Sequence, residues 1–160
     1  MAAVSPALPV TFRLATREDL PAIVALLAED ALGAKRERNE TPLPATYYRA
    51  FERMQAQTGN ELIVGDAGGR VVACLQLTLT HGLARQGRAR ATIEGVRVAG
   101  DMRGQRLGEK LVDHAIERAR AAGARLIQLT SDKSRIDAHR FYERLGFKAT
   151  HEGMKLELAP

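Results

Sequence analysis

Residues 92–122 constrain the fold more than any other stretch. They read Thr-Ile-Glu-Gly-Val-Arg-Val-Ala-Gly-Asp-Met-Arg-Gly-Gln-Arg-Leu-Gly-Glu-Lys-Leu-Val and continue as an amphipathic pattern to Ala122. This is a strand, a tight loop and a helix in succession. Apolar side chains occupy Ala91 and Ile93, then Val96 and Val98, so an alternation of period two changes phase around Glu94-Gly95. One extra residue in a strand does this: a β-bulge re-aims the side chains and leaves backbone groups unpaired. Glycine suits the slip point because it tolerates bulge dihedrals. An irregular edge strand leaves the same pattern, and alternation alone does not separate the two.

Arg103-Gly104-Gln105-Arg106-Leu107-Gly108 runs straight into a helix whose apolar positions are Leu107, Leu111, Val112, Ala115, Ile116 and Ala119. That spacing lays one stripe on a sheet, and Gly123 is a natural C-terminal stop. A glycine-bearing loop at a helix start leaves N–H groups pointing outward with the positive end of the helix dipole behind them, which suits phosphate. Arg103, Arg106 and Lys110 add cations beside it, although a plain helix entry with solvated arginines has the same composition. Gly104 to Lys110 lacks Walker spacing, and Gly-x-Gly-x-x-Gly is absent, so neither nucleotide-binding class is supported.

Ile93-Glu94 with Val96-Arg97-Val98, followed by Arg103-Gly104-Gln105-Arg106-Leu107-Gly108, resembles motif A of the GNAT superfamily of acyl-CoA-dependent N-acetyltransferases, written Arg/Gln-x-x-Gly-x-Gly/Ala. Its first glycine position is held here by Arg106, for which a left-handed conformation is less comfortable. Ala138-His139-Arg140-Phe141-Tyr142-Glu143-Arg144-Leu145-Gly146-Phe147 resembles the second family signature, a short helix carrying Phe-Tyr and ending in Gly-Phe. The resemblance covers most of the chain. It implies an α/β (α+β) fold: a mixed, mostly antiparallel sheet with a splayed parallel central pair, flanked by about four helices.

The resemblance also implies acetyl-CoA as co-substrate, with its pantetheine arm in the slot between the splayed strands. Val96, Arg97 and Val98, the loop Arg103, Gly104, Gln105, Arg106, Leu107 and Gly108, and Arg135 are the implied cofactor-binding positions. Arg135 stands where the family often has an asparagine, and offers a phosphate contact instead. Acyl transfer to an amine requires a neutral amine, a stabilised oxyanion and a protonated leaving thiolate. An alkyl amine resembles lysine, whose pKa is about 10.4, so a base or water chain must take its proton at neutral pH. Glu94, at the proposed bulge, is the candidate base; it could equally answer Arg90 or Arg97 on a sheet surface. Tyr142 matches the family tyrosine that protonates the departing sulfur, while Ala138, Phe141, Tyr142 and Leu145 share a face and any of them could be core.

The chain has 160 residues, 45% hydrophobic and 27% charged, enough for one domain with a workable core. Residues 1–9 read as a disordered N-terminal tail without a secretory signal, and 10–160 as the domain. No apolar run approaches the roughly 20 residues of a membrane span, so no membrane partner is expected. The net charge of +5 suits a polyanion, but aromatics are 4% and tryptophan is absent, which argues against nucleic acid. Cys74 is the single cysteine, pointing to a reducing cytoplasm and to a small buried hydrophobe in a strand. His81, His114, His139 and His151 show no ligand spacing, so no metal is expected.

In chain order, Val10 to Ala15 reads as a strand. Thr16 is an N-cap answered by Asp19, and a helix follows to about Asp30. A loop over residues 33–46 precedes a helix from about Ala45 to Gln57; in the family this segment forms a lip over the acceptor, which makes Lys35, Arg36, Glu37, Arg38 and Glu40 candidates for specificity. A hairpin turns at Ala67-Gly68-Gly69-Arg70, and the basic turn 81–90 leads into the bulged strand. Leu126, Ile127 and Leu129 mark a parallel strand reached by a right-handed crossover, and Phe147 and Met154 to Leu158 supply final strands. The expected function is transfer of acetyl from acetyl-CoA to a small-molecule amine by direct attack; a protein or peptide acceptor and a non-catalytic acyl-CoA-binding domain are the alternatives. Homodimers are common in the family, and no stripe here demands one.

Overall fold

The computed structural model describes residues 9–159; the tail expected over residues 1–9 thus lies, apart from Pro9, outside the described residues. Five strands, β1 (Thr11–Leu14), β2 (Asn60–Ala67), β3 (Arg70–Thr80), β4 (Arg90–Val98) and β5 (Leu126–Leu129), form one sheet in sequence order. Neighbours are antiparallel except β4 and β5, which are parallel. The helices are α1 (Leu20–Ala28), the single turn α2 (Gly33–Arg36), α3 (Ala45–Ala56), the irregular turn α4 (Ala84–Gly87), α5 (Leu107–Ala121) and α6 (Ile136–Arg144).

Local chemistry explains these bounds. Thr16 and Asp19 form the expected capping box, here around a 3-10 turn (Arg17–Asp19) that leads into α1. Asp19 is held by both guanidinium nitrogens of Arg13, at 2.7 and 3.0 Å, and by the Thr16 N–H at 2.8 Å, so a nearly buried carboxylate is fully paired. The β2–β3 hairpin closes through Asp66, whose carboxylate accepts the Gly69 N–H at 2.6 Å. On α5 the buried residues are Leu107, Leu111, Val112, Ala115 and Ala119, the stripe read from the sequence; Ile116 lies at its margin.

The register proves the bulge. Gln76 pairs with Glu94 and Cys74 with Arg97, so Gly95 and Val96 together stand opposite Leu75. Gly95 takes φ +61°, a left-handed conformation that glycine adopts without strain. Directly paired residues share a face, and Cys74 and Gln76 are two apart, so the bulge brings Glu94 and Arg97 onto one face of β4. Ile93, Val96 and Val98 are turned to the other. A Cβ at Gly108 of α5 would sit 3.5 Å from Val98, and one at Gly95 would sit 3.5 Å from Leu27 of α1. Helices α5 and α1 therefore cover opposite faces of β4, with α1 on the side of Glu94 and Arg97. β3, the middle strand, is sealed between them: Val72, Ala73, Cys74 and Leu75 are all buried.

β5 pairs with β4 only from Arg90↔Leu126 to Ile93↔Leu129. From the bulge onward, β4 has no partner on that side. This is the splay expected from the strand pattern, but the parallel pair lies at the end of the sheet rather than at its centre. The reason is that the final strands do not form: residues 148–159 contain no strand, and Met154, Leu156 and Leu158 are 93%, 84% and 84% exposed. Their alternation gives the segment an apolar side, but a period-two pattern does not supply the neighbour on which a strand depends.

Candidate active site

Three features meet where β4 and β5 diverge. The first is the loop into α5. Gly104 takes φ +77°, with nothing within 4 Å of a Cβ built there, and Arg106 takes φ +58°, the left-handed conformation that arginine tolerates poorly. These turns leave the N–H groups of Gly104, Gln105, Arg106, Leu107 and Gly108 donating to no acceptor among the described residues. They stand at the positive end of a fifteen-residue helix. The flanking cations are less free than their number suggests: Arg106 forks onto Glu109 at 2.8 and 2.7 Å, and Arg103 reaches Glu29 at 3.4 Å. Leu107 is buried and anchors the helix start, while Gln105 and Lys110 are exposed. This cradle of unbonded donors suits the oxygens of a phosphate group.

The second feature is the pair Glu94 and Tyr142. Glu94 is exposed and forms no ion pair among the described residues; Arg97, which the sequence left as its alternative partner, is engaged elsewhere. Tyr142 lies on α6 between Phe141 and Phe147, at ring-centroid distances of 5.0 and 5.7 Å in edge-on geometry. Burial raises its hydroxyl pKa above the usual phenol value, against the opposing pull of the Arg97 and Arg135 charges. It thus carries its proton at neutral pH. Tyr142 also packs against the core, as the packing account of it from sequence requires.

The third feature was not legible in the sequence. Asp30, just after α1, lies 2.6 Å from the Arg135 guanidinium and 3.6 Å from that of Arg97, and its other oxygen accepts the Gly33 N–H at 2.6 Å. Burial works to raise the Asp30 pKa, but the Gly33 N–H and the two arginines outweigh it and hold the carboxyl below its ordinary range. Arg97 donates to the Val96 carbonyl at 2.9 Å, and its Nε is buried without an acceptor. Arg97 and Arg135, expected to face a coenzyme, thus turn their guanidinium groups to α1. Nothing local in the sequence marks Asp30, because its partners come from β4 and from the start of α6.

Cys74 sits on the Arg97 face with its thiol 3.7 Å from the Gly95 carbonyl oxygen, and burial pushes its pKa up to about 12, so it is a packing residue and no thiolate at neutral pH. In the segment after α1, the Tyr47 hydroxyl donates to Glu37 at 2.8 Å and accepts the Arg38 N–H at 2.9 Å, while Arg38 forks onto Glu40. The expected lip is therefore fastened to α3.

The family model described as the acetyltransferase (GNAT) family matches residues 23–147. An L-methionine sulfoximine/L-methionine sulfone acetyltransferase of Pseudomonas aeruginosa is 31% identical over 133 residues, covering 81% of this chain and 75% of that protein. An aminoalkylphosphonate N-acetyltransferase of Salmonella typhimurium is 52% identical over 50 residues; the match spans 31% of this chain and only 32% of the enzyme's length. Among solved structures, a transcriptional regulator from Bacillus halodurans is 55% identical with a TM-score of 0.91, covering 94% of this chain and all of that one. The bulged strand, the loop of free N–H groups and the tyrosine-bearing α6 all lie within the matched residues, and the chain belongs to the GNAT acetyltransferase family.

Proposed function

We propose that the protein is an N-acetyltransferase that moves an acetyl group from acetyl-CoA to the primary amine of a small molecule by direct attack in a ternary complex. The observation that carries this is the bulge at Gly95 and Val96, which follows the last β4–β5 pair, Ile93↔Leu129, so that β4 runs on unpaired on that side from Glu94. The related enzymes named above act on an aminoalkylphosphonate and on L-methionine sulfoximine, both small amino compounds.

In this reading the phosphates rest on the N–H groups of residues 104–108. The exposed Glu94 carboxylate takes the proton of the acceptor ammonium, directly or through water. The freed nitrogen attacks the thioester carbonyl, and the resulting oxyanion is received by an N–H that β4 leaves unpaired past the bulge. Collapse breaks the carbon–sulfur bond, the Tyr142 hydroxyl gives its proton to the departing thiolate, and the extra proton on the new amide nitrogen passes to the tyrosinate, directly or through water. One such N–H donor typically contributes about 3 kcal/mol. A peptide acceptor has no specific feature in its favour here, and the buried Cys74 offers no covalent route.

The test is calorimetric titration with acetyl-CoA alongside Arg103→Ala, then turnover of an amine panel by wild type, Glu94→Gln and Tyr142→Phe. Micromolar binding, weakened by Arg103→Ala, with turnover depressed in both active-site variants, is the expected result. No binding by the folded wild type sinks the reading; unchanged turnover in both variants removes the assigned roles.

A further inference from the structure

We propose that Arg97 and Arg135, held side by side by Asp30, receive the anionic group of the acceptor, so that the substrates are short amines bearing a phosphonate or carboxylate. The inference rests on the acetyltransferase reading for the word acceptor, and on three observations for the anion site itself.

The cluster carries an excess of positive charge. One carboxylate, Asp30, serves two guanidinium groups, at 2.6 Å from Arg135 and 3.6 Å from Arg97. Asp132, the next carboxylate along, is occupied by the Ser134 N–H and hydroxyl at 2.9 and 2.6 Å, and it feels Arg36 as well as Arg135. Two arginines thus share one carboxylate, whose other oxygen is taken by the Gly33 N–H. The arginines are also incompletely satisfied: the buried Nε of Arg97 has no acceptor. Guanidinium forks match the oxygens of carboxylate and phosphonate groups better than any other side chain does. The cluster is placed for a substrate as well. The bulge sets Glu94 and Arg97 on one face, opposite Gln76 and Cys74, two residues apart on β3. Positions two apart on a strand are separated by about 7 Å. An ammonium drawn to Glu94 would therefore put an anion a short carbon chain away onto Arg97 and Arg135, and the face that carries them is the one covered by α1, across β4 from α5.

The experiment titrates 2-aminoethylphosphonate, 3-aminopropanoate and the uncharged 3-aminopropanol into the protein by calorimetry, with and without coenzyme A. Wild type, Arg97→Gln, Arg135→Gln and Arg135→Lys are compared, with acetyl-CoA affinity measured for each and folding checked by circular dichroism. At least one anionic amine should bind about tenfold or more tightly than the alcohol, and Arg135→Gln should erase most of that ratio while leaving acetyl-CoA affinity unchanged. Lysine should restore part of it, because it keeps the charge and loses the fork. The phosphonate-to-carboxylate ratio identifies which anion the site prefers. Equal affinity for all three amines overturns the proposal, as does no binding of either anion. A fall in acetyl-CoA affinity in Arg135→Gln also overturns it, since Arg135 would then serve the coenzyme. Loss of acetyl-CoA binding in the wild type with the anion preference intact would instead remove the transferase reading and leave this site standing.

Discussion

Gly108 offers a test in which stability and ligand binding part company. It is the second residue of α5, and a Cβ there would lie 3.4 Å from Phe141 Cζ, 3.6 Å from Phe141 Cε2 and 3.5 Å from Val98 Cγ2. Those are ordinary contacts, so alanine fits without displacing either neighbour. Replacing a helical glycine by alanine gains about 0.5–1 kcal/mol through the unfolded chain, and the added methyl fills the seam between β4 and α6. For a chain of this size, Gly108→Ala should raise the melting temperature by about 1–4 °C. Gly108→Leu should reverse the sign, because its branch must enter space held by Phe141 and Val98, at a cost of about 1–3 kcal/mol. The inward Cβ leaves the backbone N–H groups of the loop where they are, so acetyl-CoA should bind Gly108→Ala within about threefold of wild type. Urea and thermal unfolding followed by circular dichroism, with calorimetric acetyl-CoA titration, read both quantities. If alanine destabilises, or if alanine and leucine behave alike, the packing account of this glycine is wrong; if alanine is stable but loses the ligand, the coenzyme lies on the inner side of the helix start.

Other outcomes follow from the same geometry. Glu94→Gln should lower kcat by about 10²–10⁴ while leaving acetyl-CoA affinity near wild type, a split that steady-state kinetics with calorimetry would read. Cys74→Ala should keep turnover, whereas Cys74→Ser should cost about 1–3 kcal/mol, because a buried hydroxyl there would find the Gly95 carbonyl, 3.7 Å from the thiol, only at long range; urea midpoints check both. Arg13→Met should destabilise by about 2 kcal/mol through Asp19 alone, a value already reduced for Arg13's partial exposure. The hydrogen bonds from Arg13 hold the Asp19 carboxyl below its ordinary range against the effect of burial. Its stabilisation is therefore complete above the unfolded value of about 3.9 and is lost as pH falls through the lower folded value. Wild type and Arg13→Met should consequently converge in acid, and stability curves that stay parallel down to pH 2 would refute the assignment.

What the sequence disclosed and what it hid divide along a physical line. The bulge was readable because a phase change between Ile93 and Val96 is a local signal, and the α5 stripe because a helix repeats every few residues. The Arg106 irregularity was likewise visible as a residue standing where the family has glycine, and it does adopt the left-handed conformation. Relations across the fold left no such trace. The Asp30 cluster joins α1, β4 and the start of α6, and no spacing connects those positions. The Tyr47 tether of residues 37–38 is equally silent, since a helix tyrosine reads as core until its hydroxyl is seen between Glu37 and the Arg38 N–H. The end of the chain shows the converse error: Met154, Leu156 and Leu158 carry strand periodicity, and in the single chain they lie on nothing.

One residue of excess length in β4 does three separate jobs. It ends the pairing with β5, which opens the slot. It brings Arg97 onto the face of Glu94, where its guanidinium meets Asp30 and Glu94 is left without an ion pair among the described residues. It also keeps Val96 and Val98 on the α5 face, where Val98 meets the helix start at Gly108. A deletion of Gly95 would restore regular alternation and leave Arg97 on the Glu94 face and Val96 and Val98 on the α5 face, since Glu94 and Arg97 would then stand two residues apart opposite Gln76 and Cys74. It would take away only the break in the ladder, and with it the backbone groups that the bulge leaves unpaired. The variant should therefore fold, with backbone hydrogen exchange showing protection retained at Leu75 and Leu77, but lose acetyl transfer. A folded deletion variant that still transfers acetyl groups would show that the bulge is dispensable, and would break the link drawn here between the strand's extra residue and its chemistry.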